Sequence, residues 1–81
     1  MIIVNHINNR LLITFDYFVE SGHIRVLSGD KLPLATHHFH HSNFETVKLQ
    51  EIPEKFILCI DYDKKRYQRK FRIQKTKTDE T

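Results

Sequence analysis

Over residues 56–63 an apolar set of alternate residues lies opposite Ile57, Cys59, Asp61 and Asp63, and over residues 67–74 apolar and polar residues alternate. This pattern predicts two neighbouring β-strands. The apolar positions are Phe56, Leu58, Ile60 and Tyr62 in the first run and Tyr67, Phe71 and Ile73 in the second. Gln68, Lys70, Arg72 and Gln74 occupy the opposite face of the second run. A four-residue loop at residues 63–66 would place Phe56 opposite Ile73. Apolar side chains would then meet across the strands, so we predict a β-hairpin over residues 56–77.

A second alternation begins near residue 11 and points to a second hairpin. The apolar residues that would share one face of this strand are Leu11, Ile13, Phe15, Tyr17 and Val19. The dipeptide Ser21-Gly22 follows, and it suits a two-residue turn because glycine adopts positive φ at low cost. A turn at this position would pair Val19 with Ile24, both of them apolar. We therefore predict that the chain reverses at Ser21-Gly22.

The middle of the chain has a mixed pattern. We expect irregular backbone over residues 37–43 and a strand over residues 45–50, where apolar and polar residues alternate. Ser42 and Glu45 also match the capping box that begins many helices. One short helical turn near residues 42–51 is therefore an alternative to the strand.

Turn signals elsewhere complete a pattern of five or six short strands. Asn8-Asn9 and residues 28–31 have the composition of turns, and Pro33 excludes a central strand at that position. The predicted fold class is all-β, a small antiparallel barrel or sandwich. A chain of 81 residues forms one domain with one modest core. We assign residues 1–77 to that domain and residues 78–81 to a disordered tail, and we recognise no family motif.

Composition narrows the class of protein. With 40% hydrophobic and 28% charged residues the chain has a globular composition, and it contains no apolar run long enough for a membrane helix. It has no signal-peptide pattern, and its single cysteine, Cys59, excludes an internal disulfide. These features predict a cytoplasmic protein without a membrane partner. The low content of Ala and Gly and the high content of Ile, Lys and Asn resemble AT-rich coding, as in phages and mobile elements.

Positive charge is concentrated in the predicted C-terminal hairpin. The net charge is +3, and eight of the fourteen residues from 64 to 77 are Lys or Arg. The distribution predicts an electrostatic docking surface. Its candidate contact residues are Tyr62, Lys64, Lys65, Arg66, Tyr67, Arg69, Lys70 and Arg72. Cations on an edge strand also prevent aggregation between sheets, which is the simpler interpretation.

Four histidines surround Phe39 and are the candidate metal ligands: His37, His38, His40 and His41. In an extended segment His38 and His40 share one face, and a His-x-His pair can bind Zn²⁺ if other residues complete the site. Nothing in the sequence identifies a third ligand. The favoured interpretation is a polar surface segment with no metal, and a response to pH is a third possibility.

Known catalytic motifs are absent, so we predict a protein that is not an enzyme and needs no cofactor. The leading hypothesis is a small binding module that acts by occlusion or recruitment through its basic hairpin. A protein partner is favoured, such as a nucleic-acid-processing enzyme inhibited by a phage or mobile-element protein. A charge of +3 is mild for a nucleic-acid binder, and Asp61 and Asp63 would repel phosphate. The alternatives are a β-barrel that binds DNA or RNA directly and a metal-binding protein, and a homo-oligomer is compatible with each.

Overall fold

The computed structural model describes residues 1–73, which form five antiparallel β-strands and no helix. The strands are β1 (Ile2–Ile7), β2 (Arg10–Ser28), β3 (Pro33–Lys48), β4 (Lys55–Tyr62) and β5 (Lys65–Arg72). They form a strongly curled half-barrel, so the predicted all-β class is confirmed. The tail predicted at residues 78–81 and the end of the hairpin from Gln74 to Lys77 lie outside the described residues.

Strand β2 is the centre of the sheet because it pairs along both edges. One edge pairs with β3, and the other pairs with β1 through residues 10–15 and with β4 through residues 22–28. Strand β5 pairs only with β4. Within residues 1–73, β1, β3 and β5 therefore each leave one edge without a strand partner.

The core lies inside the curl of the sheet. Its fully buried members are Leu11, Ile13, Val19, Ile24, Val26, Leu58 and Ile60. Strand β4 is buried on both faces, because Ile57 and Cys59 are also almost inaccessible. The apolar faces predicted for the C-terminal hairpin are confirmed, since Tyr67, Phe71 and Ile73 pack against the same core.

The hairpin predicted at Ser21-Gly22 is wrong. Strand β2 runs through this dipeptide without reversing, and neither glycine of the chain has positive φ. Gly22 instead lies opposite Phe39 of β3, whose ring occupies the space that a Cβ atom at residue 22 would need. The glycine is required here by this close approach, which involves a residue distant in sequence.

Strand β2 contains an irregularity that lets the long strand follow the curl of the sheet. Thr14 pairs with Phe44 and Val19 with Ser42, so four residues of β2, 15–18, lie opposite the single residue 43 of β3. Extra residues in one strand bend it and increase its twist. Tyr17 lies in this segment, and its side chain is exposed. The alternation over residues 11–19 had predicted that Tyr17 lies on the apolar face.

The segment predicted to be irregular at residues 37–43 belongs to β3, and there is no helical turn near residues 42–51 in the structure. The strand predicted from residue 45 is confirmed as far as Lys48. The capping-box residues have other partners. The Ser42 hydroxyl donates to the carbonyl of Phe44 at 2.9 Å, and Glu45 bonds to His37 at 2.6 Å.

The C-terminal hairpin exists, but its predicted register was wrong by two residues. Asp63 and Lys64 both have positive φ, 46° and 65°, and form a two-residue type I′ turn. Phe56 consequently pairs with Phe71, and the two rings lie 5.3 Å apart. A shift of two residues preserves the face of every side chain, which explains why the predicted faces were right.

The other turns agree with the sequence. Asn8 has a φ of 56° in the turn between β1 and β2, and the Lys31 amide donates to the Ser28 carbonyl at 2.8 Å after β2. Pro33 is the first residue of an edge strand, where a missing amide proton costs little.

Candidate functional site

The predicted contact residues lie on and beside β5, but they do not form one face. Successive side chains of a strand point to opposite faces. Arg66, Lys70 and Arg72 therefore lie on the outer face of the sheet, and Lys65 and Arg69 lie on the inner face. Lys64 lies in the turn. The cations thus flank β5 on both sides of its open edge.

The two predicted tyrosines contribute to the core. Tyr62 and Tyr67 are half-buried and pack against the core cluster. The ring of Tyr62 lies 5.5 Å from that of Phe15. Their position on the inner face leaves them less available for stacking on a partner than the sequence suggested.

The backbone of β5 has one satisfied side and one open side. The Tyr62–Lys65 pair closes the two-residue turn, so the odd-numbered residues of β5 exchange hydrogen bonds with β4. The Ile73 amide continues this pattern, because it donates to the Glu54 carbonyl at 2.8 Å. The amide and carbonyl groups of the even-numbered residues therefore point away from β4. These residues are Arg66, Gln68, Lys70 and Arg72.

Several cations beside this edge have no internal counter-ion. Within residues 1–73 no carboxylate pairs with Lys64, Lys70 or Arg72. Arg66 does have one, since its Nε donates to Asp61 at 2.8 Å. The guanidinium of Arg69 lies 5.7 Å from the ring centre of Phe71.

A second feature of the hairpin is a shallow groove of about 570 Å³ beside the β4–β5 turn, which we call the histidine groove. Its floor is half-buried, and its rims are exposed. The strand registers align His38, His23, Asp61 and Arg66 in one row across β3, β2, β4 and β5. The remaining lining residues are Ser21, Gly22, His40, Tyr62, Asp63, Lys64 and Lys65.

Two imidazoles stack in this groove. The rings of His23 and His38 lie 4.1 Å apart and are inclined by only 8°. Partial burial lowers the pKa of His23, and the positive charges of His38 and Arg25 lower it further. His23 therefore favours the neutral form beside His38.

Both carboxylates in the floor of the groove are already bonded. The Asp61 carboxylate accepts from Arg66 and, at 3.4 Å, from Arg25. The hydrogen bond from Arg66, aided by the charges of Arg66 and Arg25, lowers the pKa of Asp61. Asp63 accepts from the amides of Glu20 and Ser21 at 3.1 and 3.3 Å. The charge of Asp61 is therefore balanced by two guanidinium groups, whereas Asp63 is bonded only to neutral amides and keeps its negative charge.

The candidate metal ligands are divided among three places. His38 and His40 both line the groove, whereas His37 bonds to Glu45. His41 has positive φ and lies 3.5 Å from a carboxylate oxygen of Glu20. No group of three His, Cys, Asp or Glu side chains in residues 1–73 is arranged to hold a metal ion. The rings of His23 and His38 are nearly parallel, so their lone pairs lie in separate, nearly parallel planes.

Sequence reasoning missed both His23 and Arg25 as part of this site. The alternation of residues shows on which face of its own strand His23 lies, and it does the same for Asp61. Their proximity depends on the pairing of β2 with β4, which joins residues 38 positions apart (61 minus 23). No local signal in the chain reports that pairing.

Comparison of the chain with protein-family models, curated proteins and solved structures finds no match. Within residues 1–73 there is no helix of the length and apolar character needed to cross a membrane.

The free energy of unfolding should decrease as the pH falls from about 7 to about 5, partly because of His23. Its folded-state pKa is lowered, so the unfolded chain binds protons more readily in this range. The stability contributed by neutral His23 is complete above the unfolded pKa of about 6.5 and is lost as the pH falls toward the folded value. Urea denaturation of the wild type and His23→Gln measures this effect, and His23→Gln should show the shallower dependence on pH. The exposed His6 provides the control His6→Gln, and equal slopes in all three proteins would contradict the prediction.

Proposed function

We propose that this protein is a non-catalytic binding module that captures an extended acidic segment of a partner protein along the open edge of β5. The observation that supports this most directly is the combination of a free strand edge with cations on both of its faces. Such a module would act by recruitment or by occlusion. A nucleic-acid-processing enzyme in the cytoplasm is the class of partner we favour.

Strand addition accounts for both properties of the edge. An incoming strand would bond to the outward amides and carbonyls of β5, about 4.8 Å away. Its side chains would alternate between the two faces of the sheet. Those on the outer face would lie near Arg66, Lys70 and Arg72, and those on the inner face near Lys65 and Arg69. Acidic residues on either face would therefore meet a cation.

The distribution of charge argues against a purely protective role for the cations. Five of the eight residues of β5 are Lys or Arg. The other open edges differ, because β1 contains no Lys or Arg and β3 contains only Lys48. If cations served only to prevent aggregation, they would be needed on these edges too. Their restriction to β5 supports a partner specific to this edge.

A labelled peptide of about eight residues with alternating Glu and Val provides a direct probe of strand addition. The variant Gln68→Pro removes an amide that points away from β4, so the β4–β5 ladder keeps its bonds. We expect it to weaken peptide binding about tenfold or more, equivalent to about 1.4 kcal/mol. Gln68→Thr retains the amide and is the matched control, and it should bind like the wild type. Circular dichroism checks that both variants keep the fold.

The charge component is tested separately with Lys70→Glu combined with Arg72→Glu. These changes should weaken peptide binding and reduce its dependence on salt. A single-stranded oligonucleotide serves as the second probe. The proposal fails if the oligonucleotide binds more tightly than the peptide and Gln68→Pro leaves oligonucleotide binding unchanged. That result would mean that the protein binds the phosphate backbone of nucleic acid directly.

A further inference from the structure

The histidine groove lies beside the open edge of β5, and Lys65 and Arg66 belong to both. The proposed function does not use the other lining residues, among them His38, His40 and Lys64. We infer that this groove is a binding site for a phosphate monoester, held between His38 and His40 on one rim and Lys64 on the other. The inference does not depend on strand addition, because the groove opens on the outer face of the sheet between β3 and the β4–β5 turn.

Donors without internal partners on the two rims are the first argument. His38 and His40 are exposed residues of β3, and within residues 1–73 neither pairs with a carboxylate. Lys64 is exposed in the opposite rim and also has no counter-ion in this part of the chain. Imidazolium and ammonium groups on two sides of a groove match the several acceptor oxygens of a phosphate group.

The state of the acidic residues is the second argument. The acidic groups of the groove, Lys65 and His23 all have interaction partners within the protein. Asp61 is bonded to Arg66 and Arg25, and Asp63 is bonded to two backbone amides. Lys65 lies 5.5 Å from the ring centre of Tyr17, and His23 stacks on His38. Within residues 1–73, the cation of the groove without a counter-ion or ring contact is therefore Lys64 on the rim, and the uncompensated negative charge is that of Asp63 in the floor.

The size of the groove leaves room for an ester as well as for the free ion. A volume of about 570 Å³ exceeds the space that a phosphate group alone needs. The remainder would hold the group to which the phosphate is attached. That group could be the side chain of a phosphorylated residue or a nucleoside, and the experiment distinguishes the two.

Histidine ring signals in an NMR titration at about pH 6 provide the test, since imidazoles are largely protonated there. Inorganic phosphate is the first probe. We expect saturable shifts of the His38 and His40 signals. His40→Gln and Lys64→Ala should each weaken binding about three- to tenfold, and His6→Gln should leave it unchanged.

Phosphoserine and a nucleoside 5′-monophosphate are the second set of probes. Tighter binding of either one than of inorganic phosphate supports the ester site and identifies the source of the phosphate. If neither ester binds but the free ion does, the groove does not accept an ester and the inference is wrong. It is also wrong if the shifts do not saturate, if His6 shifts equally, or if both groove variants bind like the wild type.

Discussion

Replacing Leu58 by alanine should lower the free energy of unfolding by about 2–5 kcal/mol, a large share of the stability of a domain this small. Leu58 is 0% exposed and lies in β4, the strand buried on both faces. It is paired with Val26 on one side and Arg69 on the other. The truncated side chain would leave a cavity between three strands that are fixed by their hydrogen bonds, so little relaxation can fill it. Urea denaturation followed by circular dichroism measures the loss.

The control for this prediction makes the same substitution at an exposed position. Leu32 is 62% exposed and lies between β2 and β3. Leu32→Ala should change the free energy of unfolding by no more than about 0.5 kcal/mol. Comparable losses in the two variants would mean that β4 is not enclosed as described.

Gly22→Ala should destabilise the protein by about 1–3 kcal/mol through overpacking against Phe39. The added methyl group would overlap the aromatic ring, which is itself buried in the core. Thermal or urea denaturation gives the value. Gly29→Ala is the matched control, because the nearest atom to a Cβ there is 3.9 Å away, in Lys55. That variant should be neutral or slightly stabilising.

A double-mutant cycle shows whether the Phe39 ring causes the loss. Combining Gly22→Ala with Phe39→Leu should cost less than the sum of the two single changes, because the smaller side chain admits the methyl group. Additive costs would contradict the contact. They would instead suit a turn at Ser21-Gly22, where residue 22 has no neighbour across a strand.

The faces of the strands were predictable from the sequence, whereas their registers were not. The alternation in β5 assigned Tyr67 and Phe71 to the core face and Lys70 and Arg72 to the solvent face. In β4 both faces are apolar over residues 56–60, and both are buried. The register of the hairpin depended instead on the conformation of Asp63 and Lys64. Both adopt positive φ, which non-glycine residues do infrequently. Apolar residues meet in either register, so their pattern could not distinguish the two.

The long strand β2 was misread for a related reason. Gly22 is a good turn residue, and apolar residues flank it at distances that fit a hairpin. The competing explanation, close packing against Phe39, requires knowledge of the pairing between β2 and β3. The cations of the basic hairpin could be identified from composition alone. Their division between the two faces of β5 follows from the alternation of residues along the strand, whereas the row of His23 and Asp61 depends on the pairing of β2 with β4.

The central position of β2 imposes an order on the assembly of the molecule. The β1–β2, β2–β3 and β4–β5 pairs are each joined by a short connection, so each can close quickly with little loss of chain entropy. The β2–β4 pair joins Ile24 to Ile60 across the whole of β3, and it can form only after the ribosome has released both. A nascent chain therefore emerges as a three-stranded meander whose second strand has an unoccupied edge. Until the β4–β5 hairpin docks there, that edge and the side chains of Ile24 and Val26 are open to other strands, and its docking is the step that protects them from aggregation.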